Sequence, residues 1–350
     1  MRTLIDNYRN LTAEHCGSGA MRNLLFHYCE LDLPEGVVFG LGSGLDSMCF
    51  TFDEATPSLM LFGRSITMEQ DLAKSLGLDY IEIMQPDDEL AWEEVKEEVK
   101  AGRPTMLSGD IFYLDYRKFK VHFPSHRFVL LGFDDSSGQV FVADRTECET
   151  QTCSMAALNL SRNPPVGIST YNLWGKFSSG EVRHSLPQAC ELALAKTVRR
   201  MTGEDTSQLQ ALASFPGGNR GRMASGLQGI ALLADMMKEW HLLDDAADYA
   251  DYMYSAILKF GTGGGMFRNL FTEFVEWSRE LRPDLVDSEA VSLAHQAAKQ
   301  WNALADDMLV LREDPNSAML WGKAVRRCIQ FKPPKRCCLK TLVNASRFET

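Results

Sequence analysis

The hydrophobic period of this chain changes partway along, and that change constrains the fold more than any other feature. Up to about residue 165, short apolar runs alternate with turn clusters, the mark of mixed strands and helices. From about residue 187 onward, apolar residues recur at the spacing of helix faces, with few strand signals. Residues 162–180 hold Pro164, Pro165, Gly167, Gly175, Ser178, Ser179 and Gly180, a connector composition. The sequence therefore predicts an α+β chain of two domains, residues 1–165 and 185–350, the second mainly helical. Its 350 residues are enough for a core in each.

Composition narrows the function classes. With 45% apolar and 24% charged residues the chain is that of an ordinary globular protein rather than a disordered one. A formal net charge of -11 argues against a general binder of nucleic acid or anionic membranes. Apolar runs such as residues 128–133 fall far short of the roughly 20 residues a membrane span needs, and the first ten residues are polar. A cytoplasmic protein is expected. Nine cysteines, without a CxxC pair, fit neither a disulfide framework nor a zinc ribbon. His122 and His126 stand four apart, but Pro124 opposes a helix between them and no third ligand is evident, so no metal is expected.

Several segments have readable structure. Residues 17–28 carry Ala20, Met21, Leu24, Leu25 and Tyr28 on one helical face, with Cys16 at the start. Residues 128–133 and 140–143 flank the polar cluster DDSSG, a hairpin signal. Residues 69–100 hold eleven acids and three bases, and the stretch 92–100 reads as an exposed helix laced with i,i+4 pairs. Residues 224–240, 246–259, 266–281 and 289–311 read as helices of a bundle.

Cys16 follows His15 and precedes Gly17-Ser18-Gly19 at a helix start, where the dipole favours a thiolate. His126 heads the strand RFVLLGF, and Asp144 ends the returning strand. If the turn centres near Ser136, Asp144 lies opposite Phe128, two residues from His126 and on the same face. A register off by one would separate them. Taken singly, the three also fit a core thiol, a strand-end histidine and a cap. Taken together, they have the chain order and local context of papain-like cysteine enzymes, in which a carboxylate orients a histidine that serves a thiol nucleophile.

The stretches EHCGSGAMRNLLFHYC (14–29), VVFGLGSGL (37–45), GRPTMLSGDIFYLDY (102–116), HFPSHRFVLLGFDD (122–135) and VFVAD (140–144) resemble the N-terminal domain of the butirosin-biosynthesis H protein family. TGGGMFRNLFTEFVEW (262–277) is similar to the helical domain that accompanies it. The resemblance implies a papain-like acyltransferase of natural-product biosynthesis that moves an acyl group from a carrier-protein thioester to an amine. By that likeness Cys16 is the nucleophile, His126 the base and Asp144 the orienting acid. The donor is then the phosphopantetheine arm of the carrier, with no bound cofactor. Hydrolysis or intramolecular cyclisation on the same triad, and a non-catalytic binding module, are the alternatives.

Other residues are candidates for supporting roles. His15 adjoins the nucleophile and is a candidate donor to an oxyanion. Gly42, Ser43 and Gly44 suggest a loop lining an acyl pocket or a plain turn; Leu45 stands where a dinucleotide fingerprint needs a third glycine. Asp110, Tyr113 and Tyr116 are candidates for an acceptor site. Gly263, Gly264, Gly265 and Arg268 also fit a loop between helices. Residues 321–340 contain seven basic residues and no acid, so Arg326, Arg327, Lys335 and Arg336 form a candidate dock for an acidic acyl carrier protein.

Overall fold

The computed structural model describes residues 2–52, 57–165, 169–214 and 220–330. The protein is α+β with antiparallel sheets, and its C-terminal region is helical. It divides into two compact units. One comprises the chain up to Glu35 together with Gly77–Arg183; the other comprises Gly36–Leu76 and the chain from His184 onward. The division near 183 falls at the end of the expected connector. Residues 36–76, expected in the first domain, fall in the second compact unit, where Leu45–Phe52 pairs antiparallel with Arg220–Ala224 and with Leu59–Arg64 in a three-stranded sheet.

The first unit is built on an antiparallel sheet in the order Tyr80–Ile83, Trp174–Phe177, Thr105–Gly109, His126–Asp134, Gln139–Ala143, Gln151–Ser154, with Arg2–Leu4 also paired to His126–Asp134. The strand His126–Asp134 is almost wholly buried, so its apolar run shows no alternation. Phe128, Leu130 and Phe133 join Val95, Val99, Leu107, Val140, Val142 and Trp174 in one core. The turn after this strand forms because Asp134 Oδ1 accepts from the Ser136 amide at 3.0 Å and the Ser136 hydroxyl at 2.7 Å, an Asx-type turn. The helix Asp88–Lys100 buries Ala91, Val95 and Val99, so it is amphipathic rather than fully exposed. Its ion pairs Lys96–Glu93 and Lys100–Glu97 are spaced i,i+3 instead of i,i+4.

The second unit carries the helices Gly226–Met237, Ala246–Leu258, Arg268–Leu281 and Ser288–Glu313, close to the ranges the periodicity predicts, and a further helix, Ala318–Ile329, is not among those the sequence predicts. Met253, Trp240, Trp301, Leu304, Met308 and Trp321 form its core. No helix among the described residues is long and apolar enough to cross a membrane.

Candidate active site

Cys16 is the first residue of the helix Cys16–Cys29, and His15 is its N-cap, in extended conformation. Gly19 lets this helix start lie against the preceding segment, since a methyl group there would run into Ala13. That segment is tied to the end of the hairpin. The Ala13 amide donates to Arg145 O at 2.8 Å, and Arg145 Nη1 donates to Glu14 O at 2.8 Å. Asn10 Nδ2 donates to Asp144 O at 2.9 Å and is itself held by Asn23 Nδ2, 2.8 Å from Asn10 Oδ1. The thiol is thereby carried to the residues that follow the second hairpin strand.

His126 opens its strand, paired with Gly109, and Asp144 directly follows Gln139–Ala143. The hairpin closes with Asp134 opposite Gln139, and the pairs Phe133–Val140 and Gly132–Phe141 continue that register. Carried on unchanged, it would set Asp144 against Val129, and His126 would face the other side of the sheet. The register shifts by one residue between Leu130 and Gly132, giving Leu130–Val142 and Val129–Ala143. The extra residue at Leu131, a β-bulge, brings His126 and Asp144 to one face.

The two side chains meet there. His126 Nε2 lies 3.1 Å from Asp144 Oδ1 and 2.9 Å from Oδ2, with both side chains almost wholly buried. Asp144 Oδ1 also accepts from the Arg145 amide at 2.6 Å. On the other side, Oδ2 accepts from Tyr116 Oη at 3.0 Å and has the Arg117 guanidinium at 3.5 Å. With Nε2 engaged by the carboxylate, Nδ1 is the ring atom left for Cys16, to which His126 hydrogen-bonds. The histidine thus lies between the Asp144 carboxylate and the Cys16 thiol.

The electrostatics follow from this packing. Burial alone would raise the Cys16 thiol, but the adjoining His15 and the hydrogen-bonded His126 hold it well below the ordinary thiol value. Burial disfavours a charged imidazole, yet the Asp144 carboxylate and Cys16 push His126 up to about 9. Burial likewise opposes charge on Asp144, and His126 and Arg117 hold it well below the usual carboxylate range. These shifts favour a thiolate–imidazolium pair, the reactive form of a cysteine nucleophile. A cavity of about 10 Å³, room for a single water, lies beside Cys16 and is lined by Gly19, Ala20, Asn23 and Phe128.

The remaining candidates fall elsewhere. Tyr116, expected near an acceptor site, donates its hydroxyl to Asp144 Oδ2 and so braces that carboxylate. Asp110 spends its carboxylate on the Phe112 and Phe123 amides, at 3.0 and 2.9 Å, and on His122 Nδ1 at 2.7 Å, so it shapes the loop before His126. Tyr113 packs its ring against His122 and Phe112 in that loop. Gly42, Ser43 and Gly44 lie in the second unit as the tight turn after the helix Glu35–Leu41. Ser43 Oγ bonds Ala193 O at 3.1 Å, and a side chain at Gly44 would strike Phe39. Arg268 is buried with its guanidinium over Trp301, at the end of a left-handed stretch that includes Met266 and Phe267. Arg326 is exposed, whereas Arg327 pairs with Asp307 at 2.5 Å; Lys335 and Arg336 lie outside the described residues. Among the described residues no cluster of His, Cys, Asp and Glu has the geometry to hold a metal ion. Asn10, Ser18, Asn23, Glu35 and Arg145, which organise the site, carry no motif; the one local cue is Ser18, three residues after the N-cap, where an amide seeks a side-chain acceptor.

An α+β chain with a buried cysteine, histidine and aspartate converging at a helix start is the class that fold and site define. Residues 15–145 match the family described as butirosin biosynthesis protein H, N-terminal, and residues 165–326 match a domain of unknown function (DUF4872). The chain therefore carries the N-terminal domain of the butirosin biosynthesis protein H family, followed by that second domain. That match points to a biosynthetic enzyme of natural-product metabolism. No curated protein matches the chain.

Proposed function

We propose that the protein is a cysteine-dependent acyltransferase whose first domain is papain-like and whose triad is Cys16, His126 and Asp144. The observation that carries this reading is the Cys16 thiol at a helix start, hydrogen-bonded to an imidazole whose other nitrogen is gripped by a buried aspartate. A non-catalytic module has no use for that arrangement.

The chemistry runs in two steps. The Cys16 thiolate attacks the carbonyl carbon of a thioester on the phosphopantetheine arm of a carrier protein. The bond to the pantetheine sulfur breaks, and the departing thiolate takes the proton of the His126 imidazolium. An amine then attacks the acyl-Cys16 carbonyl, His126 takes the amine proton, and the thiolate returns as the amide leaves. Asp144 stabilises the imidazolium throughout. The His15 imidazole, adjoining the nucleophile, serves as a donor to the oxyanion that develops beside the sulfur. An acidic carrier docks through the exposed Arg326, with Lys335 and Arg336 as further contacts.

Incubation with an acylated carrier protein and an amine, followed by mass spectrometry of the small products, tests the reading. An amide that depends on Cys16 is expected. Free acid as the sole product would replace transfer with hydrolysis, and no turnover of any thioester would remove the proposal.

A further inference from the structure

Asp144 is held partly by a loop. Tyr116 and Arg117 lie between the strands Thr105–Gly109 and His126–Asp134. Turns place them there: the Tyr113, Leu114 and Arg117 amides donate to the carbonyls of Asp110, Ile111 and Leu114, and the next residue, Lys118, is left-handed at φ 53°. Ile111 and Leu114 are buried in the core, and Asp115 Oδ2 accepts from the Ser154 amide at 3.0 Å. Tyr116 and Arg117 are therefore carried on an anchored piece of chain.

The two side chains reach Asp144 in different ways. The Tyr116 hydroxyl donates to Oδ2 at 3.0 Å, and burial together with that carboxylate pushes the phenol well above its ordinary value, so it keeps its proton. Arg117 Nε lies 3.5 Å from the same oxygen and makes no hydrogen bond, while its Nη1 donates to Thr146 Oγ1. Arg117 thus acts on the carboxylate as a charge. Its side chain is 7% exposed and that of Asp144 0%, so water screens the two weakly. The neighbouring charged groups are engaged elsewhere. Arg145 Nη1 donates to Ala13 O and Glu14 O, Arg127 pairs with Glu82 at 3.6 Å, and Asp110 pairs with His122 at 2.7 Å. Cys16 and the adjoining His15 belong to the helix start.

A buried aspartate answered by the imidazolium alone would grip it tightly, and the histidine would keep its proton when the leaving sulfur needs it. His126 is already raised to about 9 by Asp144 and Cys16. A second positive charge at the carboxylate weakens the hold.

We infer that Arg117, with Tyr116, is a positioning residue that tempers the Asp144 carboxylate, so that His126 can release its proton to the departing thiolate. The inference rests on the proposed roles of Cys16 and His126. In the step concerned, the bond between the acyl carbon and the donor sulfur breaks, its electron pair goes to that sulfur, and the His126 proton neutralises it. Asp144, Tyr116 and Arg117 keep their bonds and their protonation throughout.

A pair of thioesters separates this role from a purely structural one. An alkyl thiolate needs the proton to leave, whereas thiophenolate departs without it. Thiol release in the first turnover, from S-ethyl and S-phenyl thioacetate, is followed with the full chain from about pH 6 to about pH 10, across the upper limb set by the histidine. Arg117→Met should lower release of ethanethiol at pH 7 about tenfold and leave release of thiophenol within about twofold. Its upper pH limb should move up by about one unit, because the imidazolium then keeps its proton to higher pH. Arg117→Lys, which keeps the charge, should restore most of both. Tyr116→Phe removes a donor and leaves the guanidinium; it should move the limb the same way by less, and it serves if Arg117→Met does not fold. Equal losses on the two thioesters with an unmoved limb, or Arg117→Lys behaving as Arg117→Met, would overturn the inference and leave Arg117 as a brace for the loop. A wild-type protein that releases neither thiol, or a Cys16→Ala variant that releases both, fails at the nucleophile instead, and the inference falls with it.

Discussion

Cys16 in the first unit and Cys328 in the second are both buried thiols near a cation, yet their acidities move in opposite directions. Burial pushes Cys328 up to about 12, and Arg268 opposes this only weakly. The Arg268 guanidinium spends its hydrogens on Met266 O at 2.6 Å and Ser47 Oγ at 2.5 Å and lies over the Trp301 ring. Among the described residues, the hydrogen-bonding contact of Cys328 is a long one to a backbone carbonyl, 3.9 Å to Ile230 O. Cys16, by contrast, hydrogen-bonds to two imidazoles and moves down. A nearby charge is therefore insufficient to make a buried thiol reactive; the donors must be directed at the sulfur. The same contrast separates the buried aspartates. Asp71 is answered by Arg200 at 2.8 Å and Lys196 at 2.6 Å in a closed ionic cluster, whereas Asp144 passes its influence through His126 to a nucleophile.

The largest effect that would break this comparison comes from Asp144. Asp144→Asn should lower turnover by about 10⁴-fold while circular dichroism remains that of the wild type, because the imidazolium loses its partner and its tautomer. Turnover within a few-fold of wild type would leave Asp144 as packing, like Asp71.

Arg200→Met should act the other way. Arg200 and Asp71 are both essentially fully buried, and breaking such a pair costs about 3 to 5 kcal/mol. A large fall in urea stability is expected with the alkylation profile of Cys16 unchanged. A changed Cys16 profile at unchanged stability would erase the distinction between a structural and a catalytic charge cluster.

The pH dependence is smaller and has a defined sign. His126 is raised from 6.5 to about 9, so its charged form contributes stability that is fully present below pH 6.5 and is lost as pH rises through about 9. The rate from the thiolate–imidazolium pair should fall over the same upper limb, about tenfold per pH unit above 9. A rate that keeps rising through pH 10 would mean that a neutral imidazole suffices. The smallest effect expected is that of Arg326→Glu, which should raise KM for an acidic carrier several-fold in a salt-dependent way and leave small thioesters untouched. Arg327 is the poorer probe, since its partner Asp307 is buried.

What the sequence disclosed was local. The helix start at Cys16, the two hairpin strands and the helical period of the second half are short-range patterns, and all appear in the structure. The meeting of His126 with Asp144 was legible only as a choice of register. The turn itself closes half a step from the position that makes the faces agree, and the bulge at Leu131 makes up the difference. A strand buried on both faces has no alternation to mark such a bulge. Residues 36–76 read as part of the first domain because the partner of Leu45–Phe52 is Arg220–Ala224, far along the chain, and pairing at that separation leaves no local trace. Glu35, Arg145 and Asn10 escaped for the same reason, since their bonds close loops that only the folded chain defines.

The central claim is that Cys16 carries an acyl group, and intact-mass spectrometry after brief exposure to an acyl thioester without amine tests it most directly. The account predicts a gain equal to one acyl group, mapped to the peptide containing Cys16, accumulating also in Asp144→Asn at a lower rate and absent from Cys16→Ala. No adduct, or an adduct on Cys148 that persists in Cys16→Ala, would contradict it.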